Sequence, residues 1–299
     1  MSTLFSHSRL SSFENCAKKF HFRYVLETPA ETEGIEAFVG KRVHEVLERL
    51  YVFVGQDMLP SIEKVIARYH AFWEEHYDAE RVRIVRSGTK TEDYIALGER
   101  CLRGYYAKHY PFDRDETLAT EKRFVFDLDD AGEYGFQGII DRLVRAPDGT
   151  VEIHDYKTGR WMPPQKQLDE DRQLALYQIG VANEYGHDIP VRLVWHYLAR
   201  GQRKTSTRTP EQIEEVKRAA ISLIDDIGDR KRELDGKLES AKREFELKLP
   251  HEPEDTWEDK KKEVEKEVFS AKRNKLCDWC EYKSLCPAWE DPPKSSCDA

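Results

Sequence analysis

Residues 135–159 read GFQGIIDRLVRAPDGTVEIHDYKTG, and this stretch decides the fold of the chain. The residues at 146–149, APDG, have the composition of a tight turn between two apolar runs, because Pro, Asp and Gly each suit the backbone angles of a turn. The pattern predicts a β-hairpin with Asp141 on its first strand and Asp155, Tyr156 and Lys157 on its second. Two carboxylates and a lysine are therefore expected to meet on one small sheet.

The alternation of side chains along a strand explains why this spacing matters. Asp155 and Lys157 share one face of their strand, and Asp141 can lie close to Asp155 across the hairpin. Carboxylates that close repel each other unless a cation lies between them, and divalent cations take oxygen ligands. Lys157 points the same way and can orient a water or stabilise charge in a transition state. The sequence therefore predicts a site that holds a divalent metal against a phosphodiester.

A third acid, Glu121, lies at the start of a predicted strand over residues 120–126. Acidic residues are common at strand edges, and Asp-x-Lys alone occurs often by chance. The combination of Gly-x-x-Asp-Arg, a turn and Asp-Tyr-Lys-Thr-Gly is much rarer. It favours a functional interpretation of the hairpin over a structural one.

The motifs Gly138–Arg142 and Asp155–Gly159 together resemble those of the PD-(D/E)XK nuclease superfamily. They are most similar to its RecB-like branch, which includes the AddB nuclease domain and the CRISPR-associated exonucleases. The resemblance implies that Asp141, Asp155 and the carbonyl of Tyr156 bind Mg²⁺ or Mn²⁺ and that Lys157 is catalytic. It also implies a restriction-endonuclease-like α/β fold.

Further residues match that family by position. Gln173 and Tyr177 are spaced i,i+4, so they share a helix face, and they match the Gln and Tyr that follow the family's Asp-Tyr-Lys strand. His44, within GKRVH at residues 40–44, resembles the histidine that faces the metal from a helix. The family's upstream acid maps to Glu121. Without these matches, each residue has an ordinary structural interpretation: Gln173 would be a surface residue, Tyr177 a half-buried one and His44 a structural histidine.

Six cysteines are present, and three of them, Cys277, Cys280 and Cys286, form a cluster near one end of the sequence. A fourth ligand must come from elsewhere, and Cys16 is the candidate; four thiolates suit zinc or an iron–sulfur cluster equally well. The resemblance favours a 4Fe–4S cluster, because several nucleases of this branch have one Cys before the core and three after it. Cys101 is expected to be packed in a helix, and Cys297 to lie in a polar tail.

Composition limits the class of protein. With 299 residues, 39% of them hydrophobic, the chain can bury one good core, which favours a single domain over residues 1–299. We expect a helical part over 1–110, an α/β core over 118–200, a charged helical arm over 210–275 and the cysteine segment over 276–290. A signal peptide or an apolar run of membrane-spanning length is not apparent, which predicts a cytoplasmic protein without membrane contact.

The net charge of −9 argues against a generally basic nucleic-acid surface, but binding requires only a local basic stripe. The candidate phosphate contacts are Lys41, Arg42, Arg142 and Arg160. The leading hypothesis is a metal-dependent single-strand DNA exonuclease that acts in repair, recombination or CRISPR-type processing, with a helicase as a potential partner. The alternatives are a catalytically inactive DNA-binding module with an iron–sulfur cluster, and a zinc-stapled protein of unrelated function.

Overall fold

The structure, a computed structural model, describes residues 3–247 and 256–289. In chain order its helices and strands are α1 (His7–Asn15), α2 (Ala17–Phe20), β1 (Glu33–Gly34), α3 (Ile35–Val54), α4 (Ile62–His76), β2 (Val82–Arg83), α5 (Thr91–His109), β3 (Glu116–Asp127), β4 (Gly135–Arg145), β5 (Val151–Lys157), α6 (Gln165–Asp169), α7 (Arg172–Tyr185), β6 (Val191–Tyr197), β7 (Gln202–Ser206), α8 (Pro210–Leu247) and α9 (Trp257–Val268). A π-helical turn covers His21–Val25, and 3₁₀ turns cover Leu198–Arg200, Cys277–Trp279 and Lys283–Leu285.

The residues group into two compact units, where the sequence predicted one domain. Unit 1 contains the described residues up to His7 together with Thr32–Arg218, and unit 2 contains Ser8–Glu31 together with the described residues from Ala219 onward. Unit 2 therefore combines two segments that are far apart in the sequence. The physical reason is the contacts between the two segments, in which Lys19 pairs with Glu281 at 2.8 Å and the Tyr282 hydroxyl donates to the Thr28 carbonyl.

Unit 1 contains a five-stranded sheet in the order β3-β4-β5-β6-β7. The pairs are antiparallel except for β5 and β6, which are parallel and are joined through α6 and α7, as a parallel pair requires a crossover. The predicted hairpin is present, with the turn of residues 146–150 closed by a hydrogen bond from Ala146 N to Thr150 O. The prediction of a mixed α/β sheet flanked by helices is confirmed. Strand β7 and the short β1–β2 pair were not predicted.

One core of unit 1 forms between α3, α4 and α5, and the sheet contributes Tyr156 to it. Apolar residues recur along α3 at intervals of three and four, so one face of that helix is buried, including Val39, Val43 and Leu47. Helix α7 packs against β3 closely enough that a Cβ added to Gly180 would lie 3.0 Å from the Phe126 ring. The sheet thus fixes α3 and α7, the two helices that carry the other predicted site residues.

Unit 2 contains the predicted charged helical arm. Helix α8 is continuous over 38 residues, although its apolar stripe thins beyond Arg230. Phe269, which follows α9, is fully buried and stacks on Phe20 with 6.3 Å between ring centroids. The predicted interruptions at Pro250 and Pro253 lie outside the described residues, as does Cys297. Within the described ranges, no helix combines the length and apolarity needed to cross a membrane.

Candidate metal centre and active site

The carboxylates of Asp141 and Asp155 lie on neighbouring strands. Arg142 pairs with His154 across the hairpin, and continuing that register places Asp141 opposite Asp155. The main-chain N–H of Tyr156 donates to Asp141 Oδ2 at 2.7 Å, which fixes the orientation of that carboxylate. Burial raises the pKa of Asp155 to about 6; the nearby Lys157 ammonium opposes this shift, and the Asp141 carboxylate adds to it.

His44 reaches these strands from α3. Its Nε2 lies 2.8 Å from the carbonyl oxygen of Tyr156, and its Nδ1 lies 3.5 Å from Asp141 Oδ1. Burial alone would lower the pKa of His44, but the Asp141 and Asp155 carboxylates and the Tyr156 carbonyl outweigh it and raise the pKa to about 9. At neutral pH and without a metal, the imidazole is therefore protonated and donates to both oxygens.

Glu121 approaches from β3, in the middle of the strand, whereas the sequence predicted it at the strand's start. Its φ is +45°, a left-handed conformation that non-glycine residues rarely adopt. Burial and then the Asp141 carboxylate raise its pKa to about 7. One ligand atom from each of His44, Glu121 and Asp141 lies within 4.8 Å of the other two. Backbone strain at a point where three ligands converge is typical of functional sites.

Lys157 sits beside these acids at the end of β5. Its Nζ donates to Asp155 Oδ1 at 2.9 Å and to Gln173 Oε1 at 3.4 Å. Burial disfavours the ammonium, but Asp155 and Asp141 outweigh burial, so the pKa of Lys157 is raised. The ammonium form of the lysine is therefore favoured next to the acidic cluster.

Gln173 and Tyr177 lie on one face of α7, as their spacing predicted. Gln173 Nε2 donates to the Tyr177 hydroxyl at 3.4 Å. The Tyr177 ring occupies the space above Gly138, where an added Cβ would be 2.2 Å from the ring's Cε1. Gly138 is therefore needed because only a residue without a side chain leaves room for the ring. This gives a physical reason for the glycine of the Gly-x-x-Asp-Arg motif.

The four predicted phosphate contacts divide into two pairs. Lys41 and Arg160 are exposed, and Lys41 pairs with Glu33 at 2.9 Å. Arg142 is 1% exposed; it pairs with Asp115 and lies over the Tyr51 ring. Arg42 is also buried, with an ion pair to Glu45 at 2.6 Å. Arg42 and Arg142 are thus buried and ion-paired inside the protein, which argues against their predicted contact with phosphate.

One acidic residue near the site was missed by the sequence reasoning. Glu48 lies four residues after His44 on α3, and its charge contributes to raising the pKa of Glu121. The i,i+4 spacing from His44 was the signal that could have revealed it, since such residues share a helix face. The donor set of carboxylates, an imidazole and a main-chain carbonyl suits Mg²⁺ or Mn²⁺, which prefer oxygen ligands.

The cysteines predicted to act together are found together in unit 2. Cys16, Cys277, Cys280 and Cys286 line one cavity of about 270 Å³. Burial raises the pKa of the Cys280 and Cys286 thiols. Cys101 is fully buried in α5 of unit 1, which confirms the prediction that it is packed.

The chain matches one protein-family model and is similar to solved structures. A model of the PD-(D/E)XK nuclease superfamily matches residues 4–287. A solved structure from Eubacterium rectale, provisionally named an exonuclease, is 12% identical with a TM-score of 0.42, and the match covers 73% of this chain and 77% of that one. The structure of SSO0001 is 13% identical with a TM-score of 0.30, and the match covers 94% of this chain and 95% of that one. The search of curated proteins found no match.

Proposed function

Because the chain belongs to the PD-(D/E)XK nuclease superfamily, we propose that it is a deoxyribonuclease that requires Mg²⁺ or Mn²⁺. The observation that carries this proposal is the convergence of His44, Glu121 and Asp141 within 4.8 Å, beside the Asp155–Lys157 pair. Five segments of unit 1 contribute to this arrangement. An incidental acidic strand edge would not require a histidine from one helix and a glutamine from another.

Asp141, Asp155, Glu121, His44 and the carbonyl of Tyr156 would hold the metal. When bound, a divalent ion makes a coordinated water a better nucleophile and neutralises charge on a phosphoryl oxygen. His44 must lose its proton before its nitrogen can act as a ligand. The Tyr156 N–H keeps Asp141 oriented toward the site throughout.

Lys157 positions the attacking water and stabilises the negative charge that develops on the phosphate. Its charge is maintained by Asp155, and its direction is set by Gln173, which is itself held by Tyr177. Loss of a group with such a role typically costs about 10²–10⁴-fold in rate. Substitution of Lys157 is therefore the most direct single test of the mechanism.

Within the superfamily we assign the chain to the RecB/AddB-like branch and propose single-strand exonuclease activity. The support is the Asp-Tyr-Lys-Thr-Gly motif, the Gln173 and Tyr177 pair, and the arrangement of one Cys before and three after the core. We also propose a role in DNA repair, recombination or CRISPR-type processing in the cytoplasm, with a helicase as partner, since the sequence carries no phosphate-binding loop of its own.

For the cysteine site of unit 2 we propose a 4Fe–4S cluster held by Cys16, Cys277, Cys280 and Cys286. A tetrahedral zinc site with Zn–S bonds of 2.3 Å brings its sulfurs to about 3.8 Å from one another. Among the described residues, one ligand atom from each of His44, Glu121 and Asp141 lies within 4.8 Å of the other two, whereas no three of the four thiols lie that close together. Their cavity of about 270 Å³ supports a larger group with four thiolate ligands.

The test uses cluster-loaded protein prepared without oxygen, and single-stranded DNA that is linear with a 5′ or 3′ label, or circular. Wild-type protein should degrade the linear strands with Mn²⁺ or Mg²⁺, spare the circles, and stop when the metal is chelated. Asp141→Asn and Lys157→Met should lose at least about 100-fold in rate, whereas Lys64→Met, at an exposed site, should not. Equal cleavage by all four proteins would contradict the mechanism, and metal-independent binding without cleavage would favour the inactive DNA-binding module.

A further inference from the structure

Four cations, Lys108, Arg160, Arg200 and Lys204, contact the connections that follow β5 and β6, at the end of the sheet where Lys157 lies. Strands β5 and β6 are parallel and end together, since Lys157 pairs with Tyr197. The loop after β5 contains Arg160, and the turn after β6 contains Arg200. We name the four residues the basic edge. It lies at the same end of the strands as the proposed catalytic lysine.

The basic edge is held by main-chain oxygens. Arg200 Nε donates to Arg160 O at 2.6 Å, Lys204 Nζ to Pro163 O at 3.2 Å and Lys108 Nζ to Gly201 O at 3.3 Å. In the part of the chain that the structure describes, none of the four basic-edge residues forms an ion pair. Their positive charges are therefore available to a ligand, in a chain whose net charge is −9.

An exposed aromatic residue, Trp161, follows Arg160 directly in the chain. Trp161 is 66% exposed, more than any other tryptophan among the described residues. Within residues 3–247 and 256–289, it stacks on no other ring and no cation lies over it. Exposing an indole without a partner is unfavourable in water, so it suggests a surface that an incoming ligand covers. Basic groups beside a free aromatic face are the features that recognise unpaired nucleic acid.

The basic edge is also close to the proposed site of chemistry. Arg160 is three residues after Lys157, so their Cα atoms are at most about 10 Å apart. Thr158, Gly159 and Arg160 also line a cleft of about 160 Å³ with residues of α3 and α5.

We propose that the basic edge binds the phosphates of an unpaired DNA strand close to the scissile bond, and that Trp161 stacks on one of its bases. The inference rests on the proposed nuclease function and names the residues that would hold its single-stranded substrate. A base within a duplex is already stacked and paired, so its face is not available to the indole. The chemistry of the surface thus selects the unpaired strand.

The test measures binding without cleavage, in the Asp141→Asn background, by fluorescence anisotropy with a 20-nucleotide single strand and the corresponding duplex. Adding Trp161→Ala should weaken single-strand binding by about 5- to 150-fold, because stacking on one base contributes about that factor. Trp161→Phe should restore most of the loss. Arg160→Gln should reduce the slope of log affinity against log salt by about 0.7, whereas Arg145→Gln, at the opposite end of the hairpin, should leave it unchanged.

The outcomes separate this inference from the proposed function. If Trp161→Ala and Arg160→Gln bind the single strand like their Asp141→Asn parent, the inference is overturned while nuclease activity can stand. An equal loss of affinity for the single strand and the duplex would overturn the assignment of Trp161 to base stacking. If the parent binds no DNA and the wild type cleaves none, both the inference and the proposed function fail.

Discussion

Replacing Gly138 with alanine should destabilise unit 1 and misplace the active-site helix. The added Cβ would lie 2.2 Å from Tyr177 Cε1, 2.6 Å from Cδ1 and 3.1 Å from Cζ. The ring cannot simply turn aside, because Tyr177 is 9% exposed and is enclosed by its neighbours. Overpacking of this kind costs about 1–3 kcal/mol, which lowers the melting temperature by about 2–12 °C for a domain of 150–250 residues.

The same substitution should also lower the rate of DNA cleavage. Displacing the ring removes the hydroxyl partner of Gln173, and Gln173 in turn holds Lys157. We expect kcat to fall while the affinity for Mn²⁺ stays within about twofold, since the carboxylates lie on other residues. Calorimetric melting and single-strand digestion measure the two effects. Gly104→Ala is the matched control, because an added Cβ there meets no atom within 4 Å and alanine favours the helix by about 0.5–1 kcal/mol.

A double-mutant cycle tests the cause. In a Tyr177→Ala background, Gly138→Ala should cost close to nothing, because the ring that it would strike is gone. The coupling energy between the two positions should then be about 1–3 kcal/mol. The steric explanation is refuted if Gly138→Ala destabilises the protein equally with and without the tyrosine ring.

Three further outcomes are expected. With the metal removed by a chelator, His44 and Glu121 have pKa values of about 9 and about 7 in the folded protein, above their unfolded values of 6.5 and 4.5. The folded state therefore binds more protons than the unfolded state, so the melting temperature should fall as the pH rises from 5 to 9. The fall should be less steep in a variant that carries both His44→Gln and Glu121→Gln. Arg142→Met should lower the free energy of unfolding, measured in urea, by about 3 kcal/mol because Asp115 loses its partner. The affinity for single-stranded DNA should stay unchanged. A loss of this affinity without a loss of stability would show that Arg142 contacts DNA. Cys280→Ser should abolish bound iron and sulfide and the broad visible absorption, with Mn²⁺ binding retained; stoichiometric zinc in the wild type would contradict the cluster.

The hairpin and its three charged residues could be predicted because their information is local. A turn at residues 146–149 and a period of two are enough to place Asp141 opposite Asp155 and to align Lys157 with it. His44 needed the family motif, since a lone histidine on an amphipathic helix has no sequence feature that aims it at a strand 112 residues away.

Other features depend on tertiary packing and could not be predicted. Arg142 occupies a motif position beside Asp141, yet alternation sends its side chain to the opposite face, where Tyr51 and Asp115 enclose it. The left-handed backbone at Glu121 could not be predicted either, because glutamate is not a residue that indicates a positive φ. The partition into two units also depends on long-range packing, because residues 8–31 group with residues from Ala219 onward.

The divided composition of unit 2 has a consequence for synthesis on the ribosome. Residues 8–31 emerge early, but the rest of unit 2 follows only after residues 32–218 have been made. At about 5–20 residues per second, this delay is about 10–40 s. During this time Phe20, fully buried in the finished protein, has no Phe269 to pack against, and the three thiols that share a cavity with Cys16 have not yet been made. Unit 1 can therefore fold during translation, whereas unit 2 must be completed last.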